Sequence, residues 1–155
     1  MDFRITGLPI ADFASLLPLD DHALHAQGVT RLVVDVPNAY PCRITLEDAV
    51  PGEEVLLLSY AHQRAHTPYA SAGPIFVRRA AVATRTLINE VPEQQRRRLL
   101  SVRAYDHRDW MVNAEVKEGR ELESLIERFL TDTKVRYLHV HNARPGCYAC
   151  RVDRA

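Results

Sequence analysis

Hydrophobic and polar residues along this chain alternate mostly with the period of two that is typical of β-strands. Runs of this kind, rich in β-branched residues and bounded by Pro, Gly or Asn, predict seven strands. They cover residues 29–36, 54–60, 74–79, 99–106, 111–118, 135–142 and 147–153. A turn at 107–109 joins two of them into a hairpin, and residues 143–146 have the right length to close a second hairpin at the C-terminus.

Helical periodicity is clearest near the C-terminus, over residues 120–130. Apolar side chains at i, i+3, i+4, i+7 and i+8 predict one buried stripe there. They are Leu122, Leu125, Ile126, Phe129 and Leu130. Weaker patterns predict helical segments at 8–17, 20–27, 44–49 and directly after Pro92. Asp20 can cap the second of these and Gly28 can end it. Residues 61–73 predict a loop, and residues 82–89 are ambiguous.

Strands outnumber helices, and the two do not alternate regularly along the chain. That order favours an α+β fold over a doubly wound parallel sheet. We therefore predict a mostly antiparallel sheet of about six or seven strands, with about two to four short helices and a C-terminal β-hairpin. No repeat or linker-like stretch divides the chain, so residues 1–155 are expected to form a single domain.

Composition and charge exclude several classes of protein. Twenty Lys and Arg balance twenty Asp and Glu, so no overall field favours nucleic acid or an anionic membrane as a partner. The longest uncharged apolar stretch, residues 55–61, is far too short to cross a bilayer. The N-terminus lacks the basic stretch and apolar core of a signal peptide, and the cysteine count is odd. Both features predict a cytoplasmic protein whose cysteines stay thiols.

Four blocks of residues, in order along the chain, carry a family resemblance. They are Tyr40-Pro41-Cys42-Arg43, Pro51-Gly52-Glu53, Ser71-Ala72-Gly73-Pro74-Ile75-Phe76-Val77 and His139-Val140-His141-Asn142-Ala143-Arg144-Pro145-Gly146-Cys147-Tyr148. In these blocks the sequence resembles the bacterial family known as domain of unknown function 1203 (DUF1203). The resemblance spans nearly the whole chain and implies a small bacterial cytoplasmic protein. It supplies no activity and no catalytic residue.

The C-terminal hairpin is the first candidate site. If Asn142 lies opposite Cys147, then residue 141 lies opposite 148 and residue 139 opposite 150, and the residues at these four positions share a face. They are His139, His141, Tyr148 and Cys150. Two imidazoles and a thiolate suit tetrahedral Zn²⁺, so zinc is the cofactor that this face would bind. The alternative is that both histidines are half-buried, hydrogen-bonded strand residues without a metal.

A second hypothesis starts from Cys42. The neighbouring Arg43 can favour a thiolate, and a hairpin histidine can act with it, so Cys42 and His139 are the candidates for covalent catalysis. The alternative is that Cys42 is a small buried hydrophobic residue, as free cysteine often is. His62 and His66 are four residues apart but fall in the predicted loop, without the Glu of H-E-x-x-H, so they receive no role.

The arginines of the chain are candidates for binding an anionic ligand. The run 96–98 is the densest basic stretch, but without interleaved aromatics it indicates a solvated helix face rather than a nucleic-acid patch. One or two arginines, together with Arg43 or Arg144, could instead bind a carboxylate or phosphate through paired hydrogen bonds. Backbone amides of residues 71–74 could contribute, although the glycine spacing of a phosphate-binding loop is absent.

We therefore expect a small-molecule pocket, with anions among the candidate ligands. Its expected lining is the 61–73 loop together with Tyr40, Cys42, Arg43, Tyr60, Ser71, His139, His141 and Tyr148. Polar residues beside good strands mark this site, because loops on rigid scaffolds often carry function. Two alternatives stay open. One is an interaction protein that forms a homodimer through an exposed sheet edge or the helix of Leu122, and the other is a zinc-binding protein.

Overall fold

The fold is α+β, as predicted, and a computed structural model describes all residues, 1–155. The nine strands are β1 (Phe3–Thr6), β2 (Thr30–Val33), β3 (Glu54–Gln63), β4 (Ser71–Arg78), β5 (Thr86–Ile88), β6 (Leu99–Tyr105), β7 (Met111–Glu118), β8 (Tyr137–Asn142) and β9 (Tyr148–Arg154). The helices are α1 (Asp21–Ala26), α2 (Glu93–Arg96) and α3 (Leu122–Thr131), and 3-10 turns form at Ile10–Asp12 and Gly119–Glu121. No helix is both long and apolar enough to cross a membrane.

The strands form two antiparallel sheets. The larger has six strands in the order β5-β1-β9-β8-β6-β7, and the smaller has three in the order β2-β3-β4. All seven predicted strands are present, and so are the β6–β7 and β8–β9 hairpins. The sequence interpretation missed β1 and left β5 ambiguous, because strands this short show no clear period. Their pairing with β9 and with each other holds them in the sheet.

Helix α3 packs its apolar stripe on one face of the six-stranded sheet. Its five apolar residues are those predicted, and each is at most 3% exposed. They meet side chains that alternate along β6 and β8, including Val102, Leu138 and Val140. Arg154 on β9 caps the end of α3, since its guanidinium donates to the Leu130 carbonyl oxygen at 2.6 Å. The helix is therefore held to the sheet at its face and at its C-terminus.

A second core lies between the three-stranded sheet and the N-terminal segment. The predicted helix over 8–17 is wrong, because only the 3-10 turn and a few further turns form there. Pro9 and Pro18 bracket this segment, and each lacks the backbone N–H that a continuing helix would use. Its apolar side chains are buried all the same, and Phe13 and Leu16 pack in this core. The spacing of apolar residues over 8–17 therefore indicated which side chains are buried, but it did not indicate a helix.

The other short helical predictions hold to different extents. Asp20 caps α1 as predicted, because its carboxylate accepts from a first-turn backbone amide at 2.8 Å. Gly28 follows with a φ of +72°, a left-handed conformation that lets the chain leave the helix. Helix α2 starts directly after Pro92. Residues 44–49 make a turn and bends without forming a helix.

The predicted loop at 61–73 is largely strand. β3 continues through Gln63 and β4 begins at Ser71, so only residues 64–70 connect them. The register shifts between Tyr60 and Gln63, and pairing resumes where Gln63 lies opposite Ser71. Polar residues suggested a loop because the side chains at this end of β3 line a cleft instead of filling a core.

Among the glycines, Gly119 has the least room for a side chain. A Cβ there would lie 1.8 Å from the Gln95 carbonyl oxygen. We expect Gly119→Ala to lower the free energy of unfolding by about 2 kcal/mol or more, because backbone must move to admit the methyl group. Gly73→Ala is the matched control, as its Cβ meets no atom within 4 Å. That variant should keep its stability or gain up to about 1 kcal/mol. Urea unfolding measures both, and equal losses would contradict the expectation.

Candidate functional site

The C-terminal hairpin has the loop that the sequence predicts. The Asn142 amide donates to the Cys147 carbonyl oxygen at 2.9 Å, so these two residues lie opposite each other. Gly146 takes a φ of +82° in the turn between them, where a residue with a Cβ would be strained. His141 pairs with Tyr148, also as predicted.

A β-bulge changes the register beyond this pair. Ala149 is an extra residue on β9, so Val140 pairs with Cys150, and His139 pairs with Arg151. The predicted opposition of His139 and Cys150 is therefore wrong. Cys150 turns to the α3 side of the sheet and packs in the core there, away from the imidazoles.

The predicted zinc ligands consequently do not meet. Cys150 is fully buried, and burial raises the pKa of its thiol to about 12. His139 and His141 lie on the opposite face of the same hairpin. No group of three or more His, Cys, Asp or Glu side chains is placed to hold a metal ion.

His139 and His141 do share a face, and Tyr148 lies against both. The Tyr148 ring centroid is 5.1 Å from that of His139 and 5.8 Å from that of His141. A third imidazole, His62, stacks on Tyr148 at 5.1 Å with the ring planes 15° apart. These four residues are named the histidine cluster. The sequence interpretation missed His62 by placing it in a loop. The alternation Leu56, Leu58, Tyr60, His62 along β3 is the signal that would have found it.

The imidazoles of the histidine cluster are neutral near pH 7. Burial lowers the pKa of His139 to about 2, with help from Arg151, and burial also lowers that of His141 to about 4. The pKa of His62 is lowered by the same cause. His141 donates from Nδ1 to the Gly146 carbonyl oxygen at 3.0 Å, which leaves its Nε2 as an acceptor without a donor. The buried Nδ1 atoms of His62 and His139 also lack partners.

A cleft of about 580 Å³, the histidine cleft, opens over three members of this cluster and leaves His141 outside its lining. Tyr60, His62, His139 and Tyr148 line it together with Asp12, Arg64, Asp109 and Arg151. The Tyr60 hydroxyl donates to Asp12 at 2.6 Å, and this hydrogen bond holds the rim of the cleft. Two aspartates and two arginines balance in charge, so the cleft offers polar atoms without a net field.

A larger cleft of about 800 Å³, the arginine cleft, opens next to the turn of the same hairpin. Its polar lining is Asn38, Arg43, Arg97, Arg98, Asn142, Arg144 and Cys147. Its apolar wall includes Leu57, Ile75 and Phe76. Four of the lining residues are arginines, and none is Asp or Glu. The run 96–98 therefore contributes two side chains to a cleft, where the sequence indicated only a solvated face.

Arg43 is the most buried of the four arginines, at 1% exposed. Its Nε donates to the Tyr148 carbonyl oxygen at 2.7 Å, and its Nη1 donates to the Pro41 carbonyl oxygen at 2.5 Å. Its Nη2 donates to Cys147 Sγ at 3.0 Å. No Asp or Glu pairs with it, and burial lowers the pKa of the guanidinium, which still stays charged at neutral pH. Arg43 is thus a buried cation without a carboxylate.

Four of the predicted lining residues lie outside both clefts: Tyr40, Cys42, Ser71 and His141. Tyr40 donates its hydroxyl to Asp35 at 2.8 Å, and Ser71 lies at the start of β4. Cys42 is fully buried, and its Sγ accepts from the Arg78 amide at 3.2 Å, with no histidine among its partners. Cys42 therefore matches the alternative of a buried hydrophobic residue. The single predicted pocket divides into two clefts that share the hairpin as a wall.

The buried histidines should make stability depend on pH. Both imidazoles titrate near 6.5 when unfolded but only near about 2 and about 4 when folded, so the unfolded state binds more protons below pH 6.5. Each should lower the free energy of unfolding by about 1.4 kcal/mol per pH unit as pH falls from about 6.5 to about 4. His139→Asn should reduce this slope by the contribution of one buried histidine, and the exposed His25→Asn is the matched control variant. Urea unfolding between about pH 7 and pH 5 measures the slopes. Equal slopes for wild type and His139→Asn would contradict the assignment.

The comparisons with known proteins bear on the same residues. No curated protein and no solved structure matches the chain. The model of the family described as "Protein of unknown function (DUF1203)" matches residues 39–154, which contain the histidine cluster, Arg43 and Cys147. This match covers most of the chain and agrees with the resemblance carried by its four sequence blocks, so the chain belongs to the DUF1203 family.

Proposed function

We propose that this protein binds a small organic anion, with carboxylate or phosphate groups, in the arginine cleft. The observation that carries the proposal is the charge of the lining, which has four arginines and no acidic residue. Guanidinium groups bind carboxylate and phosphate oxygens through paired hydrogen bonds. The volume of about 800 Å³ falls within the usual range for small-molecule sites.

The positive charge of the cleft is only partly neutralised by the protein. Arg97 and Arg98 share one carboxylate, that of Asp48, at 3.0 and 2.7 Å. Arg43 has no acidic partner, and Arg144 is exposed and forms no ion pair. A bound anion would supply the missing countercharge. Exposed Arg144 can reach it first, and buried Arg43 strengthens the field within the cleft.

The apolar wall favours an organic anion over an inorganic one. Leu57 and Phe76 are cross-strand partners on β3 and β4, and Ile75 lies beside them. A ligand with a carbon skeleton would cover these side chains while its charged groups meet the arginines. Contact with both surfaces is the usual composition of a small-molecule site.

The histidine cleft supports anion binding less well. Its two lining imidazoles, those of His62 and His139, are neutral near pH 7 and two aspartates line it, so an anion there would gain little attraction. The proposed ligand site therefore lies on the other side of the hairpin turn from the histidine face. It includes Arg43 from the predicted site.

Anion binding should raise the melting temperature. We expect di- and tricarboxylates or sugar phosphates at millimolar concentration to stabilise the wild type in a thermal-shift assay, because a ligand of the folded state stabilises it by mass action. Arg144→Ala should weaken the apparent affinity by about fivefold to tenfold, the loss of one exposed charge-assisted contact.

Arg120→Ala is the matched control, since Arg120 is exposed and lines neither cleft. Its response to the same anions should equal that of the wild type. The proposal fails when no anion of the panel stabilises the wild type, or when Arg144→Ala binds as tightly as Arg120→Ala.

A second candidate, a homodimer, is favoured by strand β7. It lies at the edge of the six-stranded sheet, and its Val112 and Val116 side chains are 45% and 56% exposed. The apolar stripe of α3 is buried in its own chain, so of the two predicted dimer surfaces the sheet edge is the one left accessible. An unpaired edge strand can pair with a second copy of itself.

Light scattering tests this candidate directly. The wild type should have the mass of a dimer, and Val116→Lys should have the mass of a monomer with an unchanged circular dichroism spectrum. Val82→Lys is the control, because Val82 is 89% exposed and lies outside both sheets. A monomeric wild type at micromolar concentration would exclude the dimer.

A further inference from the structure

We propose that Cys147 is a nucleophilic thiol that attacks carboxylate-bearing electrophiles bound in the arginine cleft. The inference rests on the proposed function, because the arginines would hold the electrophile beside the sulfur. Cys147 is the one cysteine with exposed surface, since Cys42 and Cys150 are fully buried. It also lines the cleft directly. A small molecule in the cleft would therefore meet this thiol and no other.

A guanidinium lies against the sulfur, and a neighbouring cation in general favours the thiolate, which is the reactive form of cysteine. Arg43 Nη2 donates to Cys147 Sγ at 3.0 Å. The other two hydrogen bonds of this guanidinium go to neutral carbonyl oxygens. The sulfur of Cys147 is thus the atom in direct contact with the buried cation that can take up a negative charge. Asn142 Nδ2 lies 3.6 Å from the same sulfur and can donate to it as well.

A second observation points to a ligand at this place. Asn142 is only 5% exposed and lines the cleft, yet its buried Oδ1 accepts no hydrogen bond. A buried acceptor without a donor is unfavourable, so Oδ1 is available to accept a hydrogen bond from a bound molecule. A hydroxyl or amino group of a small molecule would satisfy this oxygen and would bring the molecule beside Sγ.

The hairpin places these groups rigidly. The Asn142 amide donates to the Cys147 carbonyl oxygen at 2.9 Å, and the Gly146 amide donates to the Asn142 carbonyl oxygen at 2.8 Å. Arg144 belongs to the same turn and is exposed at the rim of the cleft. The anion-binding group, the amide and the thiol are therefore carried by one short segment, which fixes their relative positions.

The covalent step is a displacement at carbon. The thiol proton passes to solvent, and the thiolate sulfur attacks the carbon that carries the leaving group in the bound carboxylate-bearing electrophile. A carbon–sulfur bond forms while the bond to the leaving group breaks, and the leaving group departs with the electron pair. With iodoacetate as the probe, the products are S-carboxymethyl-Cys147 and iodide.

The experiment compares iodoacetate with iodoacetamide on the native full-length chain, with labelling at Cys147 followed by peptide mass spectrometry. The two reagents are alike in size, but only iodoacetate is an anion. The rate ratio in the urea-unfolded chain provides the reference. We expect the ratio of iodoacetate to iodoacetamide in the native protein to exceed that reference by about tenfold or more, as for electrostatically guided encounters.

Three further measurements sharpen the test. The native preference should fall in Arg144→Ala and in about 1 M NaCl, where the Debye length shrinks to about 3 Å, and it should persist in Arg120→Ala. Arg43→Gln should slow labelling of Cys147 by both reagents, because the cation beside the sulfur is gone. Should Arg43→Gln fail to fold, the comparison of Arg144→Ala with Arg120→Ala still decides the question.

The inference is overturned when native Cys147 is not labelled, or when its rate ratio equals that of the unfolded chain. Thermal shifts with unreactive carboxylates, measured on the same samples, separate this failure from that of the proposed function. Stabilisation without preferential labelling would keep the anion site and remove the nucleophile. The absence of both would remove the two together.

Discussion

The buried guanidinium of Arg43 is the contact on which the arrangement of this protein depends. It joins Pro41 to Tyr148 and Cys147, residues more than a hundred positions further along the chain. Two backbone carbonyl oxygens and a sulfur receive its hydrogen bonds, so removing it would leave buried acceptors without donors. Because its partners sit on β9 and at the hairpin turn, the same side chain ties the 41–43 segment to both clefts.

Burial has different effects on the charge of the histidine and arginine side chains. The imidazoles of His139 and His141 respond to desolvation by staying neutral, since their ordinary pKa is near neutrality. An arginine cannot respond in this way, because its pKa starts far above neutral pH. The histidine cleft is therefore polar but uncharged in its centre, whereas the arginine cleft remains positive. One hairpin separates two environments that differ in the ligands they can attract.

Whether the sequence could place a site residue depends on how far apart in the chain the residues that position it lie. The period of two correctly placed His139, His141 and Tyr148 on one face, because alternation is a property of any strand. The bulge at Ala149 then moved Cys150 to the other face, and no sequence signal marked that extra residue. Cys147 and its contact with Arg43 were missed, since a distance between residues 43 and 147 depends on the packing of the whole chain.

The sequence by itself determined the α+β class, both hairpins, the buried stripe of α3 and the turns at Gly28 and Gly146. Each depends on side-chain periodicity or on backbone preferences within a few neighbouring residues. Tertiary structure alone decided the pairing of β1 and β5, the register beyond His141, and the division of the expected pocket into two clefts. These features depend on hydrogen bonds and packing between distant segments, whose free energy no local stretch of sequence contains.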